Sequence, residues 1–234
     1  MQNRLFTNPL DAMPRPSVTI RWGVLGVRFE RGLGSLPEPP QPVDLLGGHL
    51  HYYRYRPGAR WKSWRPAEVV ARWERARRRM SDDGSARPTW LALREAVAES
   101  RLFLCGVELG PSEFFGARII VHATARGPTN AIESSERIVD GTIAAFHADV
   151  ASAEVIEALT RIMPMDRADV ARALAQSAGP LFTTPSIRVS SKSVQISPAD
   201  ERCQVGEVVI YPRDARGVVP ELSGELFTLH RREN

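Results

Sequence analysis

The stretch PAEVVARWERARRRM, Pro66 to Met80, decides how this chain is read. Val69, Val70, Trp73, Ala76 and Met80 recur at helical spacing, and a proline fits a first helical turn, where its missing N–H costs little. The pattern predicts a helix over 66–80, ended by Asp82, Asp83 and Gly84. On that helix Arg72, Arg75 and Arg79, at i, i+3 and i+7, would form one basic stripe. Val69, Trp73, Ala76 and Met80 would form another, facing the core.

The same stretch sits in the most charged part of the chain. Residues 54–87 carry eleven basic side chains against four acids (Glu68, Glu74, Asp82 and Asp83), a net of +7 in a chain of +4, which leaves −3 elsewhere. Charge concentrated in this way points to an acidic partner such as a phosphate backbone. Tyr52, Tyr53, Tyr55, Trp61, Trp64 and Trp73 lie in or beside the window, and guanidinium groups with flat rings suit phosphates and bases respectively. The residues expected to contact nucleic acid are Arg54, Arg56, Arg60, Lys62, Arg65, Arg72, Arg75 and Arg79. The competing structural reading buries the tryptophans and neutralises the arginines with neighbouring acids.

Outward from this window, Val18, Ile20, Trp22 and Val24 alternate as a half-buried strand does, with Gly26 to Phe29 continuing it past a bulge. Pro37, Pro39, Pro40 and Pro42 form a stiff connector, so residues 1–42 are taken as an N-terminal strand region with its linker and 43–234 as the main domain. A short strand is expected within His49 to Tyr55. Downstream, the pattern predicts a helix over 90–100 capped by Thr89, strands over Leu102–Leu109 and Arg118–Ala125, and helices over Ala131–His147, Ala153–Met163 and Asp166–Ser177. Four further strands are expected, at Ile187–Val189, Val194–Ile196, Glu207–Tyr211 and Glu225–His230. This order indicates an α+β fold, a mixed or antiparallel sheet packed with about five helices.

On the helix over Ala131–His147, Glu133, Glu136, Asp140 and His147 fall in one narrow sector. Glu136 and Asp140, one turn apart, could share a magnesium ion, the usual agent of phosphodiester cleavage. The run Pro128-Thr129-Asn130 before a helix with Asp140, followed by Asp200-Glu201 before a strand, resembles in layout the RusA-type Holliday-junction resolvases. It departs from that family at Asn130, Ile132 and Glu136, where the family places aspartates and a lysine, so no role is carried over. His49 and His51, with His122, are a minor candidate for a transition-metal site. No serine-hydrolase elbow and no glycine-rich phosphate loop is present.

Two cysteines without paired spacing, no signal-peptide core and no run of membrane-spanning length give the expectation of a cytoplasmic protein with no membrane contact. The functional expectation is a nucleic-acid-associated protein using residues 54–87, with no cofactor and without demonstrable catalysis, as a subunit of a larger assembly. Two alternatives stand beside it. One is a magnesium-dependent endonuclease using Glu133, Glu136, Asp140 and Asp200; the other is a protein-interaction subunit docking an acidic partner.

Overall fold

The stretch expected to be a helix is instead the longest strand of a mixed sheet, β3 (Trp64–Arg77). The computed structural model describes residues 25–32, 52–55, 61–79, 85–123, 131–177, 181–190, 194–196, 198, 200–212 and 219–232. β3 pairs antiparallel with the last strand, β9 (Glu221–Arg231). From Trp64 to Arg77 is thirteen steps, while the partners from Arg231 to Glu221 span ten. The surplus is absorbed by register shifts between Pro66 and Val69, Val69 and Ala71, and Trp73 and Ala76. Each such bulge turns the strand's two-residue alternation into a locally longer step. Trp73 and Ala76, both buried, are therefore three apart although they lie on one sheet face, and this mimics helical spacing. Arg75 takes a positive φ of 48° within the last bulge, and its N–H donates to Ser223 Oγ. Pro66 is tolerated because β4 (Leu102–Leu104) pairs with β3 only at Ala71–Trp73, so no ladder bond from a described strand is lost at the proline.

The remaining strands are β1 (Leu25–Gly32), β2 (Tyr52–Tyr55), β5 (Phe115–Ala123), β6 (Ile187–Val189), β7 (Val194–Ile196) and β8 (Cys203–Pro212). Six strands, in the order β1-β8-β5-β9-β3-β4, form the main sheet, and the four-residue β2 adds at the β1 edge as a seventh. β5 and β8 run parallel and every other pair in this sheet is antiparallel. β6 and β7 make a separate hairpin. β1 is thus part of the same sheet as the C-terminal strands, while Val18–Val24 lies outside the described residues.

Four α-helices occur among the described residues: α1 (Arg87–Ala98), α2 (Ala131–Ala144), α3 (Ala153–Ile162) and α4 (Arg167–Ala175). The expected count of about five falls by one because 66–80 is not helical. α1 begins at Arg87 with Pro88 in its first turn, so Thr89, expected as the cap, lies inside the helix and is fully buried. Asp166 caps α4 as expected, its carboxylate accepting from Asp169 N at 2.8 Å. Gly141 lets α2 cross α1, since a Cβ there would sit 2.3 Å from Ala86 O.

Trp73, Ala71, Ile119, Val208, Leu222 and Leu226 point from the sheet into one core with Leu93, Ile143 and Phe146 of the helical layer. The Trp73 indole lies over Gly224, where a Cβ would come within 2.5 Å of the ring, and faces Phe146 at 6.1 Å between centroids. Trp73, at 1% exposure, is a core residue. Trp73→Ala should lose on the order of 3–5 kcal/mol through transfer and cavity terms. Chemical denaturation measures this, and a loss below about 1 kcal/mol would contradict the packing described.

Candidate nucleic-acid interface

The sheet face opposite the helical core carries a row of alternating charge. Strand register aligns Arg28 (β1), Glu207 (β8), Arg118 (β5), Glu225 (β9) and Arg72 (β3) side by side. The side chains pair along the whole row. Arg28 binds Glu207, Arg118 bridges Glu207 at 3.3 Å and Glu225 at 2.6 Å, and Arg72 reaches Glu225 at 3.3 Å. Glu207 and Glu225 each sit between two guanidiniums, and neighbouring opposite charges on one face are the stabilising arrangement in a sheet. Trp61 covers part of this row, with Arg28 at 5.4 Å and Arg118 at 6.0 Å from its ring centroid and its Nε1–H donated to Phe29 O.

Strand geometry separates the three arginines expected to share one helical stripe. Arg72 joins the charge row. Arg75 sits at the bulge, where its carbonyl accepts from Arg101 Nη1. Arg79, beyond the strand, turns to α1 and pairs with Glu95 at 3.6 Å and Glu99 at 3.4 Å. Burial raises the Glu95 carboxyl above its ordinary pKa, and Arg79 opposes that shift. Lys62, Arg65 and Arg77 are exposed, and with Arg75 they pair with no carboxylate among the described residues. Arg54 lies opposite Glu30 in the β1–β2 register, and Arg56 and Arg60 fall outside the described residues.

Stacking from the tryptophans is not available. Trp61, Trp64 and Trp73 are all buried, the first two in a small cluster with Val205 and Phe227. Among the described residues the exposed aromatic rings are Phe103 beside Arg72, Phe114 edge-on to Trp64 at 5.6 Å, and Tyr211.

The expected acidic stripe loses one member. α2 ends at Ala144, and His147 turns inward, its Nδ1–H donating to Thr184 O at 2.7 Å and its ring stacking on Phe182 at 4.7 Å. Glu136 and Asp140 are half-buried and each makes an interaction. The Glu133 side chain lies outside the described residues; Asp200 opens the 3-10 turn Asp200–Arg202. His49 and His51 also fall outside. Among the described residues no group of three or more His, Cys, Asp or Glu is placed to hold a metal ion. No helix among them is long and apolar enough to cross a membrane.

A buried ion pair that sequence reasoning missed lies behind the helices. Arg94 of α1 and Asp149 meet at 3.2 Å with each side chain 1% exposed. Arg94 also donates to Gln176 O and His147 O, and Asp149 accepts from Ser186 N, Ser186 Oγ and Ile187 N. Burial lowers the Arg94 pKa, and Asp149 counteracts it. An arginine following the apolar run Trp90-Leu91-Ala92-Leu93 within a helix was the available signal. No protein family, curated protein or solved structure matches the chain.

Two measurements follow. Burial holds the His147 imidazole below its ordinary 6.5, with the Thr184 carbonyl, Asp149 and Glu201 opposing and Arg94 reinforcing. The fold therefore favours neutral His147, and its contribution, full above pH 6.5, is lost as pH falls below that value. His147→Asn should flatten the fall in melting temperature on acidification from pH 7; identical slopes in the two proteins would refute a buried neutral imidazole. Separately, magnesium or manganese should leave the melting temperature unchanged, because saturation at a hundred times the dissociation constant would add about 2.7 kcal/mol. A metal-induced rise that disappears in Asp140→Asn would show a cation site on α2.

Proposed function

We propose that this protein binds the phosphate backbone of a nucleic acid along β3. The observation that supports the reading is the set of exposed cations Lys62, Arg65, Arg75 and Arg77 strung along β3, unpaired with any described carboxylate, with Arg72 among them held at one side by Glu225; Arg72 and Arg77 share the charged face, and Arg65, opposite His230, lies on the other. Register adds Arg231, opposite Trp64, and Arg232, whose backbone N–H and Nε bond Ser63 O and Trp64 O. The ten steps of β9 at ~3.3 Å each make this track roughly 33 Å long, enough for several consecutive phosphates. Arg118 and Arg28, by contrast, are committed to Glu207 and Glu225 and serve the sheet. An acidic protein partner would satisfy the same cations, and binding that survives nuclease treatment would favour it.

The triple variant Lys62→Glu/Arg65→Glu/Arg75→Glu removes cations that hold no ion pair in the fold, so stability should change little. Its retention on heparin and on single-stranded nucleic acid at low salt should disappear. In the parent, log affinity should fall linearly with log salt by about 0.7–0.9 for each phosphate neutralised. Equal retention of a folded triple variant would rule out the track.

A further inference from the structure

The far end of the track brings together four side chains of a different kind. Register places Tyr211 (β8), His122 (β5), Glu221 (β9) and Arg77 (β3) in one row across four neighbouring strands. Val121 and Leu222, the strand neighbours of His122 and Glu221, are buried toward the helices, so the row lies on the same face as the charge row. The His122 and Tyr211 rings stack with centroids 5.5 Å apart and planes 23° apart, and Tyr211 is 38% exposed. Side chains directly opposite across antiparallel strands have Cβ atoms about 4.5–5.5 Å apart, so Glu221 lies within reach of both His122 and Arg77. Nothing in the packing of the core or of the charge row uses this imidazole and phenol.

We propose that this row cleaves RNA held on the β3 track, by transfer of a backbone phosphate to the neighbouring 2′-oxygen. The inference rests on the nucleic-acid reading above and narrows it to RNA, because only RNA carries the internal nucleophile. His122 takes the 2′-hydroxyl proton as the O2′–P bond forms. The P–O5′ bond breaks, and the Tyr211 phenol gives its proton to the leaving O5′. Arg77, the last cation of the track, faces the non-bridging oxygens where negative charge accumulates. The products are a 2′,3′-cyclic phosphate and a 5′-hydroxyl; the imidazolium then releases its proton to solvent and the phenolate regains one, so protons balance and nothing is oxidised or reduced.

The test uses the full chain with end-labelled random-sequence RNA and DNA pools in the presence of EDTA, with new ends captured by ligation specific for 2′,3′-cyclic phosphate. The parent should retain both pools and cut only RNA. His122→Ala should retain RNA equally and cut it at least ~100-fold more slowly, the loss expected for a general base. Tyr211→Phe preserves the ring stack and should lose a comparable factor; an unchanged rate there overturns the assignment of the acid. RNA that is retained but uncut by the parent, or cut equally by His122→Ala, overturns the proposal while leaving the track intact. Failure of the parent to retain either pool removes the track and this inference together.

Discussion

The pairing of β3 with β9 is the constraint on which the rest of the sheet depends. Thirteen residue steps laid against ten require three extra residues to bulge, and where they bulge sets which side chains reach each face. Between the second and third bulge, Ala71 and Trp73 reach the core and Arg72 the opposite face. Beyond the third, Ala76 returns to the core and Arg77 to the charged side. A one-residue slip would exchange those faces, moving arginine under the helices and the Trp73 indole into solvent. Gly224 reinforces the register, since Trp73 and the Arg118 carbonyl together leave no room for a Cβ.

The second anchor, the Arg94–Asp149 pair, works by satisfaction of hydrogen bonds more than by net attraction. Taking both charges out of water costs several kcal/mol each, which Coulomb attraction alone seldom repays. Here Asp149 also accepts from two backbone N–H groups and a hydroxyl, and Arg94 also donates to two carbonyls. These bonds tie α1 to the segments after α2 and α4 and to the start of β6. Of the Arg94 and Asp149 side-chain atoms, only Arg94 Nε has no partner among the described residues. The network thus specifies where three connections cross, and loss of either partner would strand a buried charge.

The overall class, α+β with a mixed sheet, was legible in the order of strand-like and helix-like runs, as were α3, α4 and its Asp166 cap. The 66–80 stretch was not, for a definite reason. Periodicity assumes a constant step, and a strand with bulges at Val69, Ala71 and Ala76 loses that constancy in sequence while keeping it in space. Two adjacent β-branched residues, Val69 and Val70, were the signal that pointed the other way. The charge row was equally hidden, because Arg28, Arg118, Glu207 and Glu225 come from four distant segments and only register brings them together. Clustering of charge at 54–87 was visible; its neutralisation was not.

That neutralisation changes how the basic window acts. Some of its charge is met by the acids that make the rest of the chain negative: Glu225 takes Arg72, and Glu95 with Glu99 takes Arg79. Within the row itself three arginines face two glutamates, so the middle of the sheet face is nearly balanced and its interactions are directional and short-ranged. The field that extends into solvent comes instead from cations along β3 and at the end of β9. On the proposed reading, a polyanion would be guided along one strand near an edge and not spread over the face. The cations follow the β3 edge, and at its Arg77 end the charged face holds the only row, among the described residues, where an imidazole and a phenol stand side by side.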